Sequence, residues 1–146
     1  MQNKILIAII LILFSGISKA QENANDILGT WLTPGKDPAK VQIYKSVEKF
    51  YGKIIWLQNA TDNSNPKVDI NNPDKTKRTN PLIGLVILRD FKFNDDEEWR
   101  GGDIYDPESG KTYSSYMYLK DKNTLKLRGY VGISLFGRTE TWTRVN

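Results

Sequence analysis

Chemistry in this chain has to come from carboxylates, arginines, lysines and tyrosines, because its 146 residues include no histidine and no cysteine. That removes the usual ligands of zinc, copper and non-haem iron, and the side chain that titrates nearest neutrality. Serine or cysteine triads built on histidine are excluded with them. Of the acidic groupings, Asp103, Asp106 and Glu108 are near enough in sequence to suggest a glycosidase pair, which needs two carboxyls about 5–10 Å apart. Turn chemistry accounts for the same residues more simply: in Asp106-Pro107-Glu108-Ser109-Gly110 Asp starts the turn, Pro follows, and Gly takes the positive-φ position. The run Asn94-Asp95-Asp96-Glu97-Glu98 lacks the spaced oxygens and central glycine of a calcium loop and reads as a solvated hairpin turn. No catalytic residue, metal site or cofactor is assigned, and the chain reads as non-enzymatic. The residues suited to holding a ligand are Arg78 and Arg138, whose planar forks match a carboxylate or phosphate, and Tyr105, Tyr113 and Phe136, which offer aromatic area. Phe136 lies in a turn between Gly132 and Gly137; it either protrudes or folds down as a plug over the core.

Those residues need a scaffold, and the pattern predicts an all-β one. In Thr124-Leu125-Lys126-Leu127-Arg128-Gly129-Tyr130-Val131 apolar and polar residues alternate with the period of a strand that has one buried face. Similar patterns, bounded by Pro, Gly, Asn and Asp clusters, predict eight strands at about 28–32, 40–47, 50–58, 85–93, 98–105, 111–119, 124–131 and 138–145. Gly101-Gly102 suggests a bulge or tight bend. Residues 59–80 form one long irregular segment, and Asn80-Pro81 resembles a cap and first helical position, so a short helical turn is expected near 81–85. Eight sequential antiparallel strands suit an up-and-down barrel that pairs its first strand with its last, with a two-sheet sandwich as the alternative. Strand parity then places the connections at 33–38, 60–81, 106–110 and 132–137 at one end, the mouth. The turns at 46–49, 94–97 and 121–123 lie at the other.

The N-terminus opens with Lys4, a 13-residue apolar run from Ile5 to Ile17 and Ser18-Lys19-Ala20, the layout of a secretory signal peptide cleaved after residue 20. The run is shorter than the roughly 20 residues of a spanning helix. Residues 21–27 then form a polar leader and 28–146 a single barrel domain, exported to the periplasm or beyond, without a membrane span after cleavage and monomeric. Losing Lys4 and Lys19 leaves 19 basic against 17 acidic residues, a net charge of +2. Basic residues are scattered among the carboxylates, which argues against a nucleic-acid partner.

Closure brings Trp31 and Arg144 to the closed end on neighbouring strands, where an arginine over an indole is favourable. Gly29-Thr30-Trp31 with a closing Arg144 resembles the arrangement of lipocalin-like barrels. A broader resemblance rests on Leu28-Gly29-Thr30-Trp31, Tyr51-Gly52-Lys53-Ile54-Ile55-Trp56-Leu57, Asn72-Pro73-Asp74 followed by Arg78, Pro81-Leu82-Ile83-Gly84-Leu85, the stretch from Gly102 to Tyr113 and that from Leu127 to Arg144. In that order these motifs resemble the bacterial exported family known as domain of unknown function 2147. The resemblance implies a small exported β-barrel-like domain and carries over no catalytic residues. Two uses fit such a domain. It binds a small, partly apolar molecule at the mouth through Arg78, Tyr105, Tyr113, Phe136 and Arg138, or it docks an envelope protein or glycan with the same loops over a filled core.

Overall fold

In the computed structural model, which describes residues 23–133 and 135–146, eight strands close into an antiparallel barrel. Around the ring they run β1 (Gly29–Leu32), β10 (Gly137–Val145), β9 (Thr124–Tyr130), β8 (Lys111–Asp121), β7 (Glu98–Asp106), β6 (Val86–Phe93), β3 (Lys49–Leu57) and β2 (Ala39–Ser46). Each lies within two residues of its expected span. The expected signal peptide lies outside the described residues. The long segment between β3 and β6 holds a two-residue ladder, β4 (Thr61–Asp62) with β5 (Asn65–Pro66), and a single 3-10 turn at Lys75–Lys77.

The helical turn expected near 81–85 does not form. Leu85 N–H donates to Leu82 O at 3.1 Å and Gly84 sits at φ +93°, which makes a tight turn in a conformation a right-handed helix cannot use.

Two bulges set which side chains face inward. At Asp90, φ +65°, β6 gains a residue, so Leu88 and Phe91, three apart, are both fully buried. At Gly101, φ +74°, β7 does the same, and Trp99 and Gly102 both turn inward. Gly102 must be glycine: a Cβ there would lie 2.5 Å from both the Phe91 ring and the Arg89 carbonyl oxygen. The bulge expected at Gly101-Gly102 is therefore present.

The closed end is packed and plugged. Trp31, Phe50, Phe91, Trp99, Met117, Leu125 and Trp142 fill it, each no more than 1% exposed, and Phe50 meets Trp99 edge-on with ring centres 6.3 Å apart. A 3-10 turn, Ala24–Ile27, lies across the bottom, its start fixed by reciprocal bonds between Asn23 and Asp26 and its Ile27 fully buried. Two indole N–H groups hold it from inside: Trp31 Nε1 donates to Ile27 O at 2.8 Å and Trp99 Nε1 to Ala24 O at 3.2 Å. The expected Trp31–Arg144 pair is present, with the guanidinium 4.2 Å from the ring centre. Arg144 also donates to the carbonyls of Asp26, Leu28 and Lys122 at 2.6–2.7 Å. So the leader's last residues complete the barrel rather than trail from it.

Candidate functional site

Above this floor the interior opens. On β10 alternation carries the inward face from Trp142 to Glu140 to Arg138, and on β9 from Leu125 to Leu127 to Gly129, with Arg138 directly opposite Gly129. On β8 the inward positions continue to Tyr113, which pairs with Ile104 of β7. A glycine, a pair of strand-end side chains and a projecting loop cannot fill the space that tryptophans fill below. The result is a cavity of about 310 Å³ bounded by Ile104, Tyr113, Leu127, Gly129, Arg138 and Glu140, with Tyr130, Val131 and Phe136 at its lip. That is the lower end of the size range for small-molecule sites.

The polar groups in it are few. Glu140 Oε2 accepts from Trp142 Nε1 at 3.0 Å, which fixes the carboxylate near the floor. Asp106 is committed to its own turn, taking Glu108 N–H at 3.0 Å and Ser109 Oγ at 2.6 Å. The Arg138 side chain makes no hydrogen bond or ion pair with any described residue. Arg138 is exposed at the rim, its donors open to solvent, and shares the cavity with the carboxylates of Asp106 and Glu140.

Of the five residues singled out from the sequence, the fold gathers Tyr113, Phe136 and Arg138 on this cavity. Tyr105 and Arg78 lie elsewhere, in a clasp that holds the long segment to the barrel's outer face. Tyr105, 6% exposed, donates through its hydroxyl to Asp69 Oδ1 at 2.7 Å, and Asn72 Nδ2 donates to Asp69 Oδ2 at 2.6 Å. Arg78 Nε in turn donates to Asn72 O at 2.8 Å. Burial, followed by the bond to Asp69, pushes the Tyr105 hydroxyl up to about 12. The clasp therefore uses Asn72 and Arg78 to shape a loop. A wider hollow of about 520 Å³ lies beside it, between residues 62–71, Leu82 and the Pro107-Glu108 turn. Only the small β4–β5 ladder and loops form its walls, with no residue of the eight barrel strands, so it lacks the framework that fixes the first cavity. Sequence reasoning missed Ile104, Gly129 and Glu140; period-two spacing from Trp142 marks Glu140, but nothing local marks the others as cavity walls.

The family model described as an uncharacterized protein conserved in bacteria, DUF2147, matches residues 29–144. The chain belongs to the DUF2147 family. The match spans the barrel from the first residue of β1 to the arginine over Trp31, so the closing pair is part of what the family model covers. A solved structure, protein HP1028 from the human pathogen Helicobacter pylori, is similar at 24% identity and a TM-score of 0.73, covering 82% of each chain; it is described as belonging to the lipocalin family. At that identity the likeness bears on the fold, and it shows this DUF2147 chain to have the lipocalin-like barrel expected from its strand pattern. No curated protein matches the chain.

Proposed function

We propose that this DUF2147 chain is an exported binding protein, without catalytic activity, for a small amphiphile with an apolar body and one acidic head. The observation that carries the reading is the unpartnered Arg138 at the lip of an interior cavity. The head group would take the guanidinium in a two-pronged contact, while the body lies along Ile104, Leu127, the open space at Gly129 and the ring of Phe136. The free oxygen of Glu140, close to the floor, would disfavour a second acidic group and accept from a hydroxyl or amine on the body. One negative charge at the mouth end is thus the preferred ligand pattern. Export rests on the apolar run and the Ser18-Lys19-Ala20 site, and the N-terminal mass of protein from its native source tests it: a chain still carrying residues 1–20 would contradict it.

Calorimetric titration with decanoate and with decanol tests the cavity. Arg138→Gln is expected to weaken decanoate binding by about 10-fold or more, the worth of a charge-assisted contact, and to leave decanol unchanged. Gly129→Leu is expected to abolish both, because its side chain would occupy the space; a Cβ at Gly129 itself meets only ordinary contacts at 3.6 Å. Decanoate binding that survives both substitutions would place the ligand outside this cavity.

A further inference from the structure

The β9–β10 connection displays four large apolar side chains: Val131 is 70% exposed, Ile133 60%, Leu135 74% and Phe136 71%. Isolated apolar residues are ordinary on a surface, but four within six positions form the kind of patch that marks a contact with protein or membrane. The loop is built to show them. Phe136 N–H donates to Ile133 O at 3.1 Å, Val131 N–H to Phe136 O at 3.5 Å, and Arg128 Nη2 to Leu135 O at 3.2 Å, while Gly132 turns the chain at φ +75°. These bonds hold the side chains outward on a tip.

Charge narrows what meets that tip. From Arg128 to Thr139 there is no carboxylate, and Arg128 and Arg138 stand at the two strand ends with Tyr130 at the base. An apolar tip above a tyrosine and two arginines matches the layers of a bilayer surface. The aliphatic groups reach the acyl boundary, the phenol lies at head-group level, and the cations lie among anionic head groups. A projecting loop also suits a surface that yields around it. We propose that the β9–β10 loop is a membrane-contact tip that seats the barrel, mouth down, on an anionic bilayer. This goes beyond ligand binding: Val131 and Phe136 also border the cavity, but Ile133 and Leu135 do not, so the tip can be tested apart from it.

The test is co-sedimentation with vesicles of phosphatidylcholine alone and of phosphatidylcholine mixed with phosphatidylglycerol. It uses the chain from Gln21, which contains every described element but not the apolar run that would itself enter a bilayer. The parent should sediment with the mixed vesicles, more weakly with phosphatidylcholine alone, and less as salt is raised. Ile133→Ser with Leu135→Ser should weaken vesicle binding by about 10-fold or more. The same double variant should keep its urea midpoint and its decanoate affinity, so that loss of fold, failure of the cavity and failure of the tip are separate results. Vesicle binding unchanged in the double variant would overturn the proposal, as would no sedimentation of the parent with the mixed vesicles. So would a parent that dimerises without vesicles while the double variant is monomeric, which would make the loop a contact between copies.

Discussion

Tyr105 shows how one inserted residue reassigns a side chain. Counted in steps of two from Trp99 it would fall on the inward face, near the mouth. The bulge at Gly101 moves the inward face to Gly102 and Ile104, so Tyr105 turns outward and closes on Asp69. The two adjacent glycines were the visible warning, but sequence alone does not say which of two residues a bulge absorbs. The clasp has a testable pH signature. Tyr105 is neutral when protonated and its folded pKa, about 12, lies above the ordinary value of 10. The native state therefore holds the proton over a range in which the unfolded chain has lost it. Its contribution is fully present below pH 10 and is lost as pH rises towards about 12. Tyr105→Phe is expected to cost about 1–3 kcal/mol at pH 8, since it leaves a buried carboxylate oxygen without its donor. It should also flatten the fall of the urea midpoint between pH 10 and 12 relative to the parent. Parallel falls in the two proteins would mean that the Tyr105 proton is not linked to folding.

At the level of elements, the strands were legible because alternation is a local signal, repeated along each of them. The plug at Ala24–Ile27 was not, because four residues carry no period and the polar Asn-Ala-Asn-Asp run resembles a leader. Its one sequence mark was the spacing of Asn23 and Asp26, a capping box. Plug, β1 and β10 share the Trp31–Arg144 stack, which makes this contact the seam of the ring. Trp31→Ala is expected to destabilise by about 3–5 kcal/mol, as a core aromatic truncation. Arg144→Ala should cost less, and the two should be coupled by about 0.5–2 kcal/mol because the second change finds the contact already lost. A double-mutant cycle in urea measures this, and additive costs would mean that the two side chains stabilise the barrel independently.

For the whole molecule, parity alone decided that the four longer connections share an end, and the bonds from Asn71 to the carbonyls of Pro107 and Glu108 join two of them there. Whether the interior was filled or hollow was not legible, because it depends on volumes summed around eight strands, and the cavity arises where Gly129 faces Arg138 rather than another tryptophan. The plugged end has a separate consequence for anyone handling the protein. Asn146 follows β10 there, where Val145 pairs with Thr30 and Arg144 reaches the carbonyls of Asp26 and Leu28. A dye or sensor-chip linkage at Asn146 therefore attaches at the pole opposite the cavity. Immobilised through that residue, the molecule faces the flow with its opening and its apolar loop unobstructed, whereas coupling through lysines would present it in mixed orientations.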